Sequence, residues 1–179
     1  MNLCLAGEQG VHMSPSAADR WRTLLSDLHT WRRGGKRAVH KPLLTLMIIA
    51  RAEAGAPARV RFSEIEQDLR KHLREFGPPR KSYHPEFPFW HLQHDGFWKV
   101  EDPGNLQAKT GGKSPSCRTL LYADAVATID PPLWRSLVSS QTLREELAER
   151  LLADFWPETI HASIRSELGL AEPGSQSAR

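Results

Sequence analysis

A chain of 179 residues, 40% hydrophobic and 25% charged, is long enough for one core-bearing domain and too short for two with a linker between them. Its composition lies outside the disordered class, and its longest apolar run, residues 43–50, is interrupted by Thr45 and far too short to span a bilayer, which argues against a membrane partner. The net charge of +3 is unevenly spread: residues 1–120 carry nineteen Lys/Arg against twelve Asp/Glu and the remainder five against nine, an excess suited either to a polyanion or, more commonly, to a solvated surface.

Residues 1–13 show no periodicity and are expected to be loosely ordered. They lack the basic start and apolar centre of a signal peptide, so the expected location is cytoplasmic. Cys4 and Cys117 give neither a disulfide framework nor a zinc-binding pair. Ser14-Pro15-Ser16 then supplies a helix start, and Trp21, Leu24, Leu25, Leu28 and Trp31 recur at helical spacing over residues 17–33. Arg32-Arg33-Gly34-Gly35-Lys36-Arg37 ends that helix in a cationic loop, suited either to a phosphate backbone, with Arg37 as a contact, or to a solvated connection.

His40-Lys41-Pro42 opens the most apolar helix of the chain, Leu43-Leu44-Thr45-Leu46-Met47-Ile48-Ile49-Ala50. Positive groups at a helix N-terminus oppose the macrodipole, so His40 and Lys41 make sense with an anion held between them and the free amides; the plainer alternative is that both point to water. Residues 60–62 read as a short strand, and Ser63-Glu64-Ile65-Glu66 as a capping box for a third helix with Ile65, Leu69, Leu73 and Phe76 inward. Gly77-Pro78-Pro79 stops it.

Residues 80–100 concentrate rings, prolines and basic groups as no other stretch does. Residues 87–92 and 97–101 flank His94-Asp95-Gly96, a turn signal that predicts a β-hairpin. Strand alternation would send Phe87, Phe89 and His91 one way and Pro88, Trp90 and Leu92 the other. Phe89, Trp90, Leu92, Phe97 and Trp98 read as scaffold, whereas Arg80, Lys81, Tyr83, His84, Phe87 and His91 interleave charge with rings as a nucleic-acid surface does. Residues 102–116 read as a long loop, either a plain flexible connection or one in which Lys109, Thr110, Gly111, Gly112 and Lys113 offer backbone amides and ammonium groups to a phosphate. The rest reads as helical, with Pro131-Pro132 opening one helix, Trp156-Pro157 marking a joint and Gly169 closing the last. Residues 171–179 are expected to be a tail or linker.

Catalysis has little support. His91, His94 and Asp95 could serve a metal-dependent nuclease of the HNH type, but on a strand a spacing of three puts the two rings on opposite faces, and no further ligand cluster completes a sphere. Thr110-Gly111-Gly112-Lys113-Ser114 matches only the end of a phosphate-binding P-loop. The expectation is a binding module with no catalytic residues, no metal and no cofactor.

His40-Lys41-Pro42-Leu43-Leu44, followed by Arg80-Lys81-Ser82-Tyr83-His84-Pro85-Glu86-Phe87-Pro88-Phe89-Trp90-His91-Leu92 and Asp95-Gly96-Phe97-Trp98, resembles the sulfur-binding domain of phosphorothioate-dependent, McrA-like type IV restriction endonucleases. The resemblance implies a domain over residues 14–170 that grips duplex DNA with a backbone sulfur. In that family a separate C-terminal HNH nuclease domain usually cuts, and this chain carries no such module, so a fused or associated nuclease is the implied partner. It implies a sulfur cavity at Phe87, Pro88 and His91, and DNA contacts from Arg37, His40, Lys41, Arg80, Ser82, Lys109, Thr110, Gly111, Gly112 and Lys113. Phenylalanine replaces the family's usual tyrosine, and lysine at 113 would meet phosphate as a point charge. Sulfur is larger and more weakly hydrated than oxygen, so an apolar cup favours it by desolvation. The expected fold is α+β, a mostly helical single domain with a small antiparallel sheet or hairpin. The alternatives are a general DNA-binding or interaction domain with no sulfur preference, and the metal-dependent nuclease.

Overall fold

The computed structural model describes residues 15–28, 32–33, 36–108, 114–171 and 174. Helix α1 (Ala17–Ser26) starts where Ser16 accepts the Asp19 amide and stops at Asp27, well short of residue 33. An aspartate at a helix C-terminus opposes the dipole and favours a turn. The cationic segment is a short ladder rather than a loop: β1 (Arg32–Arg33) pairs antiparallel with β2 (Lys36–Arg37), Arg32 opposite Arg37 and Arg33 opposite Lys36.

Helix α2 (His40–Glu53) is the centre of the molecule. Residues from Lys41 to Ile49 are buried without interruption, and the helix packs against several others introduced below. An all-round apolar helix can only be stable in that position. Truncating one of its leucines, Leu43→Ala for example, would cost about 2–5 kcal/mol.

Strand β3 (Arg59–Arg61) runs directly into α3 (Phe62–Phe76). The capping box expected at Ser63 does not form: the helix begins one residue earlier, with Phe62 fully buried and its amide donating to Ala125 O at 2.8 Å. The sheet thus satisfies a donor that a cap would otherwise serve.

The predicted hairpin is overturned in its first arm. Residues 86–91 form α4 (Glu86–His91), continued by a 3₁₀ turn (Leu92–Asp95) and ended by Gly96 at φ 85°. Only then does β4 (Trp98–Val100) begin. Pro85, at φ −63°, is already in the helical region, and the helix turns Pro88, Phe89 and Trp90 inward together, where alternation would have exposed part of the set. Trp98 Nε1 donates to Phe89 O at 2.9 Å and locks the pair.

Helix α5 (Pro103–Ala108) occupies the first part of the predicted loop, its proline in the first turn. Helix α6 (Cys117–Tyr122) is capped by Ser116. Strand β5 (Val126–Ile129), missed by the all-helical reading of this region, is the middle strand of a three-stranded antiparallel sheet ordered β3-β5-β4. Val60 and Val100 both face Ala127 across the two ladders. Helices α7 (Pro131–Ser139), α8 (Gln141–Phe155) and α9 (His161–Leu168) complete the chain, with Asp130 and Ser140 as caps and Gly169 at φ 69° closing α9. Around α2 pack α3, α4, α7, α8 and α9. The fold is therefore mostly helical with a small antiparallel sheet. No helix among the described residues is long and apolar enough to cross a membrane.

Candidate nucleic-acid interface

Helix α4 is short, and its two faces have different fates. Phe89, Trp90 and Leu92 enter the core with Phe97 and Trp98, all at 3% exposure or less. Phe87 stands out at 45% exposure. Phe87 and His91 lie one turn apart on the same side of the helix. Phe87 stacks on His84 (4.8 Å between centroids, 18° between planes) and tilts against His91 at 6.3 Å, and His91 in turn lies 5.8 Å from His94. An exposed phenyl ring is thus set in a line of imidazoles. Pro88 does not share that exposure: it is buried.

His91 and His94 share a face, contrary to the strand expectation. The Asp95 carboxylate accepts from Lys41 Nζ at 2.5 Å. Among the described residues no group of three or more His, Cys, Asp or Glu is placed to hold a metal ion.

The N-terminus of α2 lies beside this row. No side chain caps it, since Val39 is the N-cap residue, so the amides of His40 and Lys41 are left without intrahelical partners. His40 is half-buried, and burial, followed by the charges of Lys41, His91 and Arg80, lowers its pKa to about 4. It is a neutral ring near pH 7 rather than the cation suggested by the sequence. Burial first, then His94 and Lys41, also holds His91 below the ordinary histidine range. Lys41 is buried and paired with Asp95, so it points into the protein instead of outward to a phosphate. Of the two groups that the sequence reading took as positive at this helix end, His40 is thus a neutral ring and Lys41 is compensated by Asp95.

The segment leading into α4 is tied down from several sides. Arg80 N donates to the Tyr83 hydroxyl at 3.3 Å, and Arg70 Nη1 donates to Tyr83 O at 2.8 Å. Arg80 and Ser82 are both exposed, as the sequence reading required of contacts. Ser82 Oγ lies 2.8 Å from His84 Nε2, and His84 Nδ1 lies 2.9 Å from Glu86 Oε1. Opposite them, Ser114 Oγ bonds His91 Nε2 at 3.3 Å, which brings the start of the segment before α6 to the same face. Lys109, Thr110, Gly111, Gly112 and Lys113 lie outside the described residues, as does the side chain of Arg37.

Phe87, His91, His40, Arg80 and Ser82 thus belong to one face, with Lys41 just beneath it. The sequence reading missed Ser114 and Glu86, and, for residues it had named, the pairing of Asp95 with Lys41 and of Ser82 with His84. The spacing of His84, Phe87, His91 and His94 carried the helical signal, but the turn residues after it pointed to a strand.

Comparison with known proteins gives the family. Residues 18–173 match the family model described as ScoMcrA-like, DNA sulfur-binding domain. The chain belongs to that family. Among solved structures it is similar to the sulfur binding domain of ScoMcrA complexed with phosphorothioated DNA, with a TM-score of 0.71 and 23% identity over 88% of this chain and 97% of that one. The corresponding domain of SprMcrA, also complexed with phosphorothioated DNA, gives 0.68 and 18% identity over 86% and 94%. A structure of the sulfur binding and SRA domains of ScoMcrA with phosphorothioated DNA gives 0.71 and 25% identity, over 84% of this chain and 46% of that one. No curated protein matches the chain. As members of a DNA sulfur-binding family, residues 18–173 form a DNA-binding module.

Proposed function

We propose that this domain binds double-stranded DNA containing a phosphorothioate and seats the sulfur against the Phe87 ring, with His91 as a wall and the buried Pro88 next to Phe87 in sequence. The observation that carries this reading is the half-exposed Phe87, held between His84 and His91 on the face where the α2 amides, Arg80 and Ser82 converge. A largely neutral, ring-lined surface costs a weakly hydrated sulfur little in lost solvation and costs an oxygen more. Backbone phosphates next to the sulfur would meet the free amides of α2, the Arg80 guanidinium and the Ser82 hydroxyl.

On this reading the domain recognises and a nuclease, fused or separate, cuts; its work lies in the cytoplasm, with the DNA. The ScoMcrA and SprMcrA domains, described with phosphorothioated DNA, support the assignment. The test is a mobility-shift comparison of two duplexes identical but for one phosphorothioate linkage. Tighter binding of the sulfur duplex is expected, and equal binding of the two would defeat the assignment.

A further inference from the structure

Next to the Phe87 ring lies a hydrogen-bonded chain that cup and phosphate contacts do not require. Ser82 Oγ is 2.8 Å from His84 Nε2, and His84 Nδ1 is 2.9 Å from Glu86 Oε1. The chain runs from the surface inward: Ser82 and His84 are exposed and Glu86 is buried. Among the described residues, no donor reaches the other carboxylate oxygen, Glu86 Oε2, which is itself buried. A buried carboxylate with one oxygen unserved is costly unless a positive charge stands close by.

As a carboxylate, Glu86 can only accept, so the His84 Nδ1 must carry a hydrogen. In the neutral ring Nε2 is then a lone pair, and the Ser82 hydroxyl must donate to it. In that state Ser82 has no hydrogen left for a phosphate. Protonation of Nε2 reverses the outer bond: the imidazolium donates to Ser82 Oγ, and the hydroxyl hydrogen is released to point outward.

We propose that Glu86, His84 and Ser82 act as a relay in which His84 takes up one proton from solvent when a backbone phosphate arrives, turning the Ser82 hydroxyl into a donor to a nonbridging phosphate oxygen. The proton balance is simple: one proton leaves solvent for Nε2, no covalent bond is made or broken, and one phosphate charge is offset by the new imidazolium. The charged and titratable groups facing the relay are Glu66 and Arg70 of α3, Cys117 of α6 and, across Phe87, His91 of α4. Arg70 is held by Glu66 and by Tyr83 O, so its charge is already committed. Ser82 and His84 are positioning residues for the bound phosphate, and the proposal rests on the DNA-binding reading above.

The relay has a test without DNA and a test with it. Nitrogen-15 NMR of the free protein should find His84 as the Nδ1–H tautomer at high pH and the reverse tautomer in Glu86→Gln; an Nε2–H ring in the native protein would overturn the relay. Calorimetric titration with a short phosphorothioated duplex, in buffers of different ionisation enthalpy between about pH 5.5 and 8.5, the span over which imidazoles change charge, should show proton uptake that approaches one per duplex. His84→Asn should abolish that uptake and weaken binding about tenfold, Ser82→Ala should weaken binding similarly, and Ser82→Thr, which keeps the hydroxyl, should restore it. Undiminished uptake in His84→Asn, or unchanged affinity in Ser82→Ala, would also overturn the relay. Preference for sulfur over oxygen, measured on the native protein in the same cell, separates failure of the relay from failure of the binding assignment. Both exposed substitutions leave the core untouched, so the outcome does not depend on whether Glu86→Gln folds.

Discussion

The ammonium of Lys41 and the carboxylate of Asp95 meet at 2.5 Å with their side chains only 7% and 1% exposed. This pair ties the first turn of α2 to the 3₁₀ turn that follows α4, and so sets the N-terminus of one helix near the ring face of the other. Removing Asp95 takes away the carboxylate that the buried Lys41 ammonium pairs with. Asp95→Ala is expected to lose about 3–5 kcal/mol of stability by urea denaturation, and the double change Lys41→Met with Asp95→Leu to lose less than either single change. Additive losses would mean that the two groups do not interact in solution.

The roles of Phe87 and Pro88 should separate. Phe87→Ala removes a ring that is 45% exposed, so it should cost little stability while reducing preference for the sulfur duplex about tenfold or more, as judged by competition binding. Pro88 is buried, and Pro88→Ala should act chiefly on the melting temperature. A Phe87→Ala protein that kept full sulfur preference would move the cup elsewhere.

His40 gives the domain a predictable response to acid. Its pKa falls from the ordinary 6.5 to about 4 through burial, then through the charges of Lys41, His91 and Arg80. The unfolded chain therefore binds a proton that the folded one refuses between those two values. The corresponding stability is fully present above about pH 6.5 and is lost as pH falls toward 4, up to about 3 kcal/mol on full protonation. Denaturation at pH 7 and pH 4.5 should show the loss, and His40→Asn should reduce it. An identical pH dependence in the variant would show that other groups carry it.

Much of this was legible before any coordinates. The spacing of Trp21, Leu24 and Leu25, the apolar run of α2 and the glycine after Leu168 gave helices where helices stand. The error at residues 87–92 came from weighing aromatic content and the His94-Asp95-Gly96 turn above the fourfold spacing of Phe87 and His91. Gly96 does take the left-handed conformation a turn needs, but here it ends a helix. Strand β5 was missed because Val126-Ala127-Thr128-Ile129 is too short to show a period, and it becomes a strand only because β3 and β4 flank it. Partnership was equally hidden. Nothing in spacing reveals that Lys41 and Asp95, 54 residues apart, cancel one another.

That cancellation yields a prediction opposite to the one suggested by counting basic residues. A lysine that releases a counterion from DNA contributes about one unit to the slope of log affinity against log salt. Lys41 is already neutralised inside the protein, so Lys41→Ala should weaken binding by loosening the α2 terminus while leaving the slope nearly unchanged. Arg80 is exposed on the same face, and its charge is close enough to help lower the His40 pKa. Arg80→Ala should therefore flatten the slope by about one unit. Binding measured over a salt series for both variants checks the division, and a full unit lost on removing Lys41 would mean that the Asp95 pair opens when DNA binds.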